Sequence, residues 1–146
     1  MFGKMTSTAP VSIDFGLLLL RVGIGLSMML FHGYDKIAGG PERWEGIGGS
    51  MSVFGITFLP VFWGFMAAFA EFVGSILLIL GPLFRLAAVL LTFNMLVAVL
   101  RHLGMPADNP NAGWAGASHA LEFMTVYIAL IFTGAGRFAF SLGRVK

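Results

Sequence analysis

The chain has no cysteine and little charge: Asp, Glu, Lys and Arg make up 11% of its 146 residues. Without a thiol it can neither form a disulfide nor do sulfur chemistry with its own side chains, and its redox compartment cannot be read from cysteine usage. Soluble domains carry charge on about a quarter of their residues, so this chain cannot clothe a water-facing surface. It also lacks a basic stripe. The formal net charge is +2, which argues against nucleic acid as a partner. Its six prolines fall between the long apolar runs or at their edges, so nothing inside those runs breaks helical hydrogen bonding.

What the sequence has in abundance is hydrophobic surface, 58% of all residues, including 15 Phe and 9 Met. Four runs, at about 13–32, 59–80, 84–102 and 114–133, are long enough to cross ~30 Å of hydrocarbon at ~20 residues each. They are about twice the length of a membrane barrel strand, so length selects helix. The expectation is an all-α, integral membrane four-helix bundle forming one domain in the lipid bilayer. The first run reads as a retained span, because no small-residue cleavage site follows a short apolar core.

The connections are unequal. Gly81-Pro82-Leu83 is a tight turn, and "GMPADNPNAG" is a polar loop. The first connection is a long outer loop, "GYDKIAGGPERWEGIGGSMSVFGITF". Pro41 with Glu42 and Glu45 behind it predicts a short interfacial helix, and the glycines beyond suggest a bend or re-entry at the interface. Four spans put both termini on one side, with Lys4, Arg85, Arg137, Arg144 and Lys146 there and Lys36, Arg43 and Arg101 opposite. That five-to-three excess favours cytoplasmic termini. Trp44, Trp63 and Trp114 map to the opposite, outer interface. Glu71-Phe72 precedes "GPLFR" and Glu122-Phe123 precedes "GAGRF", with Glu-to-Arg spacings of 14 and 15. Two repeated helical hairpins would give this pattern; chance likeness in a Leu-, Phe- and Gly-rich chain is the alternative.

Polar residues inside the runs need reasons. On a helix, Gly64, Ala67, Ala68, Glu71, Gly74 and Ser75 share one face, and small residues let helices approach closely in lipid. Glu71 therefore points into a helix–helix seam. At ~1.5 Å per residue, Arg21, Glu71 and Asn94 lie about 12, 13 and 15 Å from the cytoplasmic side. An unpaired charge there costs at least ~2.5 kcal/mol, so an Arg21–Glu71 pair with Asn94 nearby is expected. A second polar layer, His32, Arg101, His102, Ser118, His119 and Glu122, lies nearer the outer face. His119 and Glu122 are three apart and share a helix face. Together the two layers describe a funnel narrowing from the outer face.

Each feature has a plainer reading: the buried pair as a packing device, the histidines as interfacial helix ends. A metal or haem site from His32, His102, His119 and Glu122 is demanded by no spacing. A pocket for an amphipathic small molecule such as a quinone would use His and Glu on the polar head and Phe and Met around the tail.

These residues carry a resemblance to the DoxX family of small four-helix bacterial membrane proteins. The matching pieces are "RVGIGLSMMLFHGYDKIAGG", "AEFVGSILLILGPLFRLAAVLLTFNMLVAVLRH" and the ending "TGAGRFAFSLG". The ending departs from the family pattern: Ala135 replaces a proline, "FAF" lengthens the gap, and Gly143 replaces an aspartate. The resemblance implies a multi-pass protein of the bacterial inner membrane, associated with redox enzymes. Relatives include a subunit of quinone-linked thiosulfate oxidation and a membrane partner of enzymes handling superoxide and thiols.

Three functions stand against one another. The first is a quinone-linked accessory subunit working with a protein partner in a redox complex, at most one subunit of a membrane oxidoreductase. The second is a non-catalytic scaffold that recruits a soluble redox enzyme. The third is a small-molecule or lipid transporter, against which the sparsely polar cytoplasmic half argues. A homo-oligomer is compatible with any of them.

Overall fold

The computed structural model describes residues 9–140. Among them every regular element is helical, and four helices are long and apolar enough to cross a membrane. Helix α1 spans Ile13–Ile37. A short helix α2, Gly40–Gly48, runs into a 3-10 stretch, Gly49–Phe54. Helices α3, α4 and α5 span Pro60–Leu80, Phe84–Leu103 and Gly113–Thr133. This is a multi-pass helical membrane protein.

Local chemistry sets the ends. The Ser12 hydroxyl accepts from the Phe15 amide at 3.3 Å, capping a start that would otherwise leave amides unpaired. Gly81, at φ 106°, ends α3 in the left-handed conformation that glycine adopts without a Cβ penalty. Pro60 opens α3 at a position where its missing N–H costs nothing.

Helix α1 runs five residues beyond the expected end at His32. Gly33 does not stop it, because the backbone widens into a π turn at Met29–Gly33 and then resumes the α form over Tyr34–Ile37. The break comes at Gly39 and Gly40, the latter at φ 74°. A second π turn, Ala70–Gly74, lies inside α3.

The helices close a ring in which α1 packs on α3, α3 on α4, and α4 along the length of α5. Contacts of His32 with His119 and Phe123 join α5 back to α1. Leu78, Ala88, Leu91, Tyr127 and Leu130 form the fully buried centre. The chain after α5 folds across the terminal face: the Arg137 amide donates to Asp14 Oδ1 at 2.9 Å, and the Phe140 amide to the Leu80 carbonyl at 2.9 Å.

The loop helix α2 gives way at Gly49 to the 3-10 stretch, which Gly55 ends at φ 73°. It docks along the start of α3, backbone to backbone. A Cβ on Gly48 would overlap the Pro60 carbonyl, and one on Gly64 the Trp44 carbonyl. Trp44 follows it inward, donating Nε1–H to the Lys36 carbonyl at 2.8 Å and meeting Phe65 edge-on. Trp63 Nε1 is also buried. Of the three expected interfacial indoles, Trp114 alone is largely exposed, at 68%. Lys4, Gly143, Arg144 and Lys146 lie outside the described residues.

Candidate functional site

The two π turns cross. A Cβ on Gly33 would sit 2.8 Å from both the Glu71 carbonyl carbon and the Phe72 nitrogen, so only glycine admits this approach. Hydrogen bonding across five residues instead of four swells each turn and re-aims its side chains, a distortion common at functional sites. Here it turns Glu71 inward, where it is 1% exposed. One helical turn past Gly33, Lys36 reaches back over the crossing. Its Nζ lies 2.5 Å from Glu71 Oε1. Asn94 Nδ2 on α4 donates to the same oxygen at 2.7 Å. Three helices thus meet on one carboxylate oxygen, and two donors, one of them cationic, offset its removal from water.

The expected Arg21–Glu71 pair does not form. Gly25, one turn beyond Arg21, faces Ser75 and Ile79, whereas Glu71 faces Gly33. Arg21 precedes Gly33 by twelve residues, which is about 18 Å of helix. Equal depth measures each residue from the cytoplasmic end of its own span; α1 instead lies slid along α3 so that Gly33 meets Glu71, and Lys36, expected in the outer loop, takes the place given to Arg21. Arg21 remains deeply buried at 1% exposure, and its Nε and Nη1 bond to no other described group.

Beside this cluster lies a cavity of about 450 Å³ between α3, α4 and the loop. Lys36, Glu71 and Asn94 lie on its lining. Phe62, Trp63, Met66, Phe69 and Phe93 supply apolar wall, and Met51 comes in from the 3-10 stretch. Arg101 and His102 mark the part nearest the end of α4. His102 Nδ1 lies 2.7 Å from the Asn111 carbonyl. A carbonyl only accepts, so Nδ1 carries the proton, and in the neutral ring Nε2 keeps its lone pair. Two lining residues hold an unpartnered buried atom, Glu71 Oε2 and Trp63 Nε1.

The rest of the expected polar layer lies elsewhere. His32 and His119 face one another between α1 and α5, Nε2 to Nε2 at 3.1 Å, with Phe123 edge-on to both rings. Ser118 and Glu122 are exposed on α5, and Ser118 donates to the Ala115 carbonyl at 2.8 Å. None of these four lines the cavity. The single funnel is therefore two places: a cavity between α3 and α4, and a histidine pair between α1 and α5. Among the described residues no three His, Cys, Asp or Glu side chains gather as a metal shell.

Sequence reasoning missed Lys36, Trp63 and Tyr127. Lys36 carried a usable signal: it lies three residues after Gly33, on the same face of α1 if the helix is run to the Gly39-Gly40 break. The π turns had none.

Against this geometry, the DoxX family model matches residues 16–103, a stretch that holds Lys36, Glu71, Asn94, Arg101 and His102 and stops before α5. The Bacillus subtilis (strain 168) protein named "Putative oxidoreductase CatD" is 28% identical over 119 residues, covering 82% of this chain and 81% of that protein. No solved structure matches significantly.

Proposed function

From the premise that the chain belongs to the DoxX family, we propose that it is a quinone-binding accessory subunit of a membrane redox complex, with the cavity beside Glu71 as its ligand site. The observation that carries this reading is an apolar-walled cavity of about 450 Å³ ending at a buried, doubly hydrogen-bonded carboxylate. That volume falls within the ~300–1,000 Å³ of small-molecule sites. A quinone carbonyl needs donors, which Lys36, Asn94 and Trp63 carry; a quinol hydroxyl needs an acceptor, which Glu71 carries. A membrane-buried carboxylate beside an ammonium is also suited to holding or releasing a proton as such a ligand changes state. Phe and Met walls suit the apolar remainder.

In this reading a partner protein exchanges electrons with the ligand, and the chain brings no cysteine to that exchange. The name of the CatD relative supports an oxidoreductase association. The protein resides in the bacterial inner membrane with cytoplasmic termini. Lys36 is drawn into the bundle, which leaves Arg43 and Arg101 on the loop side against Arg85 and Arg137 on the other, to which sequence adds Lys4, Arg144 and Lys146. The scaffold reading has one observation in its favour, the exposed charged residues Glu42, Arg43 and Glu45 on α2.

One preparation separates the two readings. Protein extracted in mild detergent is assayed for co-purifying quinone by mass spectrometry and titrated with a short-chain quinone while tryptophan fluorescence is followed. Saturable quenching, weakened about tenfold by Glu71→Gln and reduced in amplitude by Trp63→Phe, supports the cavity. Neither bound quinone nor saturable quenching leaves the scaffold.

A further inference from the structure

Among the described residues the bundle buries two charged side chains, Glu71 and Arg21, each 1% exposed. Glu71 is answered by Lys36, the ion pair these residues form. Arg21 has no such answer: its Nε and Nη1 are buried and bond to no described group. Asp14 lies seven residues before it on α1, about 10 Å nearer the terminal face, where its Oδ1 accepts the Arg137 amide. With Lys36 and Glu71 offsetting one another, the interior keeps one positive charge in excess. An unpaired charge at that depth is strongly disfavoured.

Two more buried polar groups fall in the same layer. Gly25, one turn from Arg21, faces Ser75 on α3: a Cβ there would sit 3.4 Å from the Ser75 carbonyl oxygen. Helix α5 runs antiparallel to α1, with His119 against His32 at one end and Gly136 near Asp14 and Leu17 at the other. Eight residues on from His119 is Tyr127, and eight back from His32 is Ile24. Tyr127 is therefore level with the Gly25 turn. Ser75 and Tyr127 are both 0% exposed, and both hydroxyls are without a bonding partner among the described residues. This is not the habit of the spans: Thr92, Thr125 and Thr133 each spend their hydroxyl on a carbonyl one turn back. Three helices thus bring a guanidinium and two hydroxyls to one layer of the bundle. All three can donate and none carries negative charge.

We propose that this layer binds one small monovalent anion, of the size of chloride. The excess charge calls for a single negative charge, and the donor set calls for an acceptor. Enclosure in the bundle centre admits an ion of few atoms and excludes a lipid phosphate. Water would satisfy the hydroxyls but would leave the guanidinium uncompensated. Bound there, the anion ties α1, α3 and α5 together, so that its concentration sets the stability of the bundle. None of the three residues lines the cavity beside Glu71, and the inference is independent of any ligand in that cavity.

The natural chain, purified in mild detergent, is melted in sodium gluconate, whose anion is too large for the layer, and titrated with sodium chloride at constant ionic strength. Its melting temperature is expected to rise saturably by about 5 °C, and bromide should replace chloride. Arg21→Met removes the charge that the anion answers. It should abolish the response, and it should melt no lower than the natural chain in gluconate, since nothing is then stranded. Tyr127→Phe and Ser75→Ala, which keep the charge and remove one donor each, should move the chloride midpoint up about tenfold. A melt indifferent to chloride would overturn the proposal and leave the layer to water alone. An equal chloride response in Arg21→Met, or an unmoved midpoint in both hydroxyl variants, would overturn it as well.

Discussion

Glu71 on α3 and Glu122 on α5 have similar sequence surroundings and opposite fates. Each is followed by Phe, then by a glycine turn and an arginine 14 or 15 residues on. Each lies about 13–17 Å from the loop end of its helix. Yet Glu71 is 1% exposed, with Lys36 and Asn94 on one oxygen, while Glu122 is exposed and no hydrogen bond or ion pair engages its carboxylate among the described residues. The π turn accounts for the inward aim of the first. Ala70–Gly74 swells α3 where it meets Gly33, and α5 has no such turn. A bilayer tolerates a carboxylate only when something answers it. The first hairpin answers from within the chain; the second leaves its carboxylate open on the outer face of α5.

The largest effect that tests this contrast is on Lys36. Lys36→Met removes the cation and leaves Glu71 buried without its ion-pair partner. It should cost about 3 kcal/mol of stability, read as a fall in melting temperature in detergent. Lys36→Met with Glu71→Gln should recover most of that loss, because no charge is then stranded. An unchanged melt in the single variant would remove the internal answer from the comparison. Next comes Gly33→Ala. Its Cβ would meet the Glu71 and Phe72 backbone at 2.8 Å, with no side chain to swing aside, so the helices must part. About 2 kcal/mol is expected. A fully stable Gly33→Ala protein would mean that the crossing of the π turns is not tight.

The helical bundle was legible in the sequence because length, apolarity and proline placement all speak to the same solvent constraint. The small-residue face of α3 was legible too, since 3.6-residue periodicity set Gly64, Ala67, Ala68, Glu71, Gly74 and Ser75 together; five of the six are buried and Ala67 is partly so. Which cation meets Glu71 was not. That depends on where α1 ends and how it slides against α3, and a π turn leaves no mark in hydropathy. The Arg21 expectation failed by a register of three helical turns rather than by chemistry. A double-mutant cycle makes the same distinction. Arg21 and Glu71 should be additive to within ~0.5 kcal/mol, as separated sites are, while Lys36 and Glu71 should couple strongly. Strong Arg21–Glu71 coupling would restore the equal-depth arrangement.

The smallest expected effect sharpens the comparison from its other side. Glu122→Gln keeps shape and removes charge on a face that the single bundle leaves open. In detergent micelles, water and headgroups reach that face. The variant should therefore melt within about 2 °C of the natural chain, as surface substitutions do. Glu71→Gln in the same detergent should melt clearly lower, because the neutral amide cannot hold the Lys36 ammonium as the carboxylate does. If Glu122→Gln fell as far as Glu71→Gln, Glu122 would have a partner inside its own bundle, and the two hairpins would handle their acids alike.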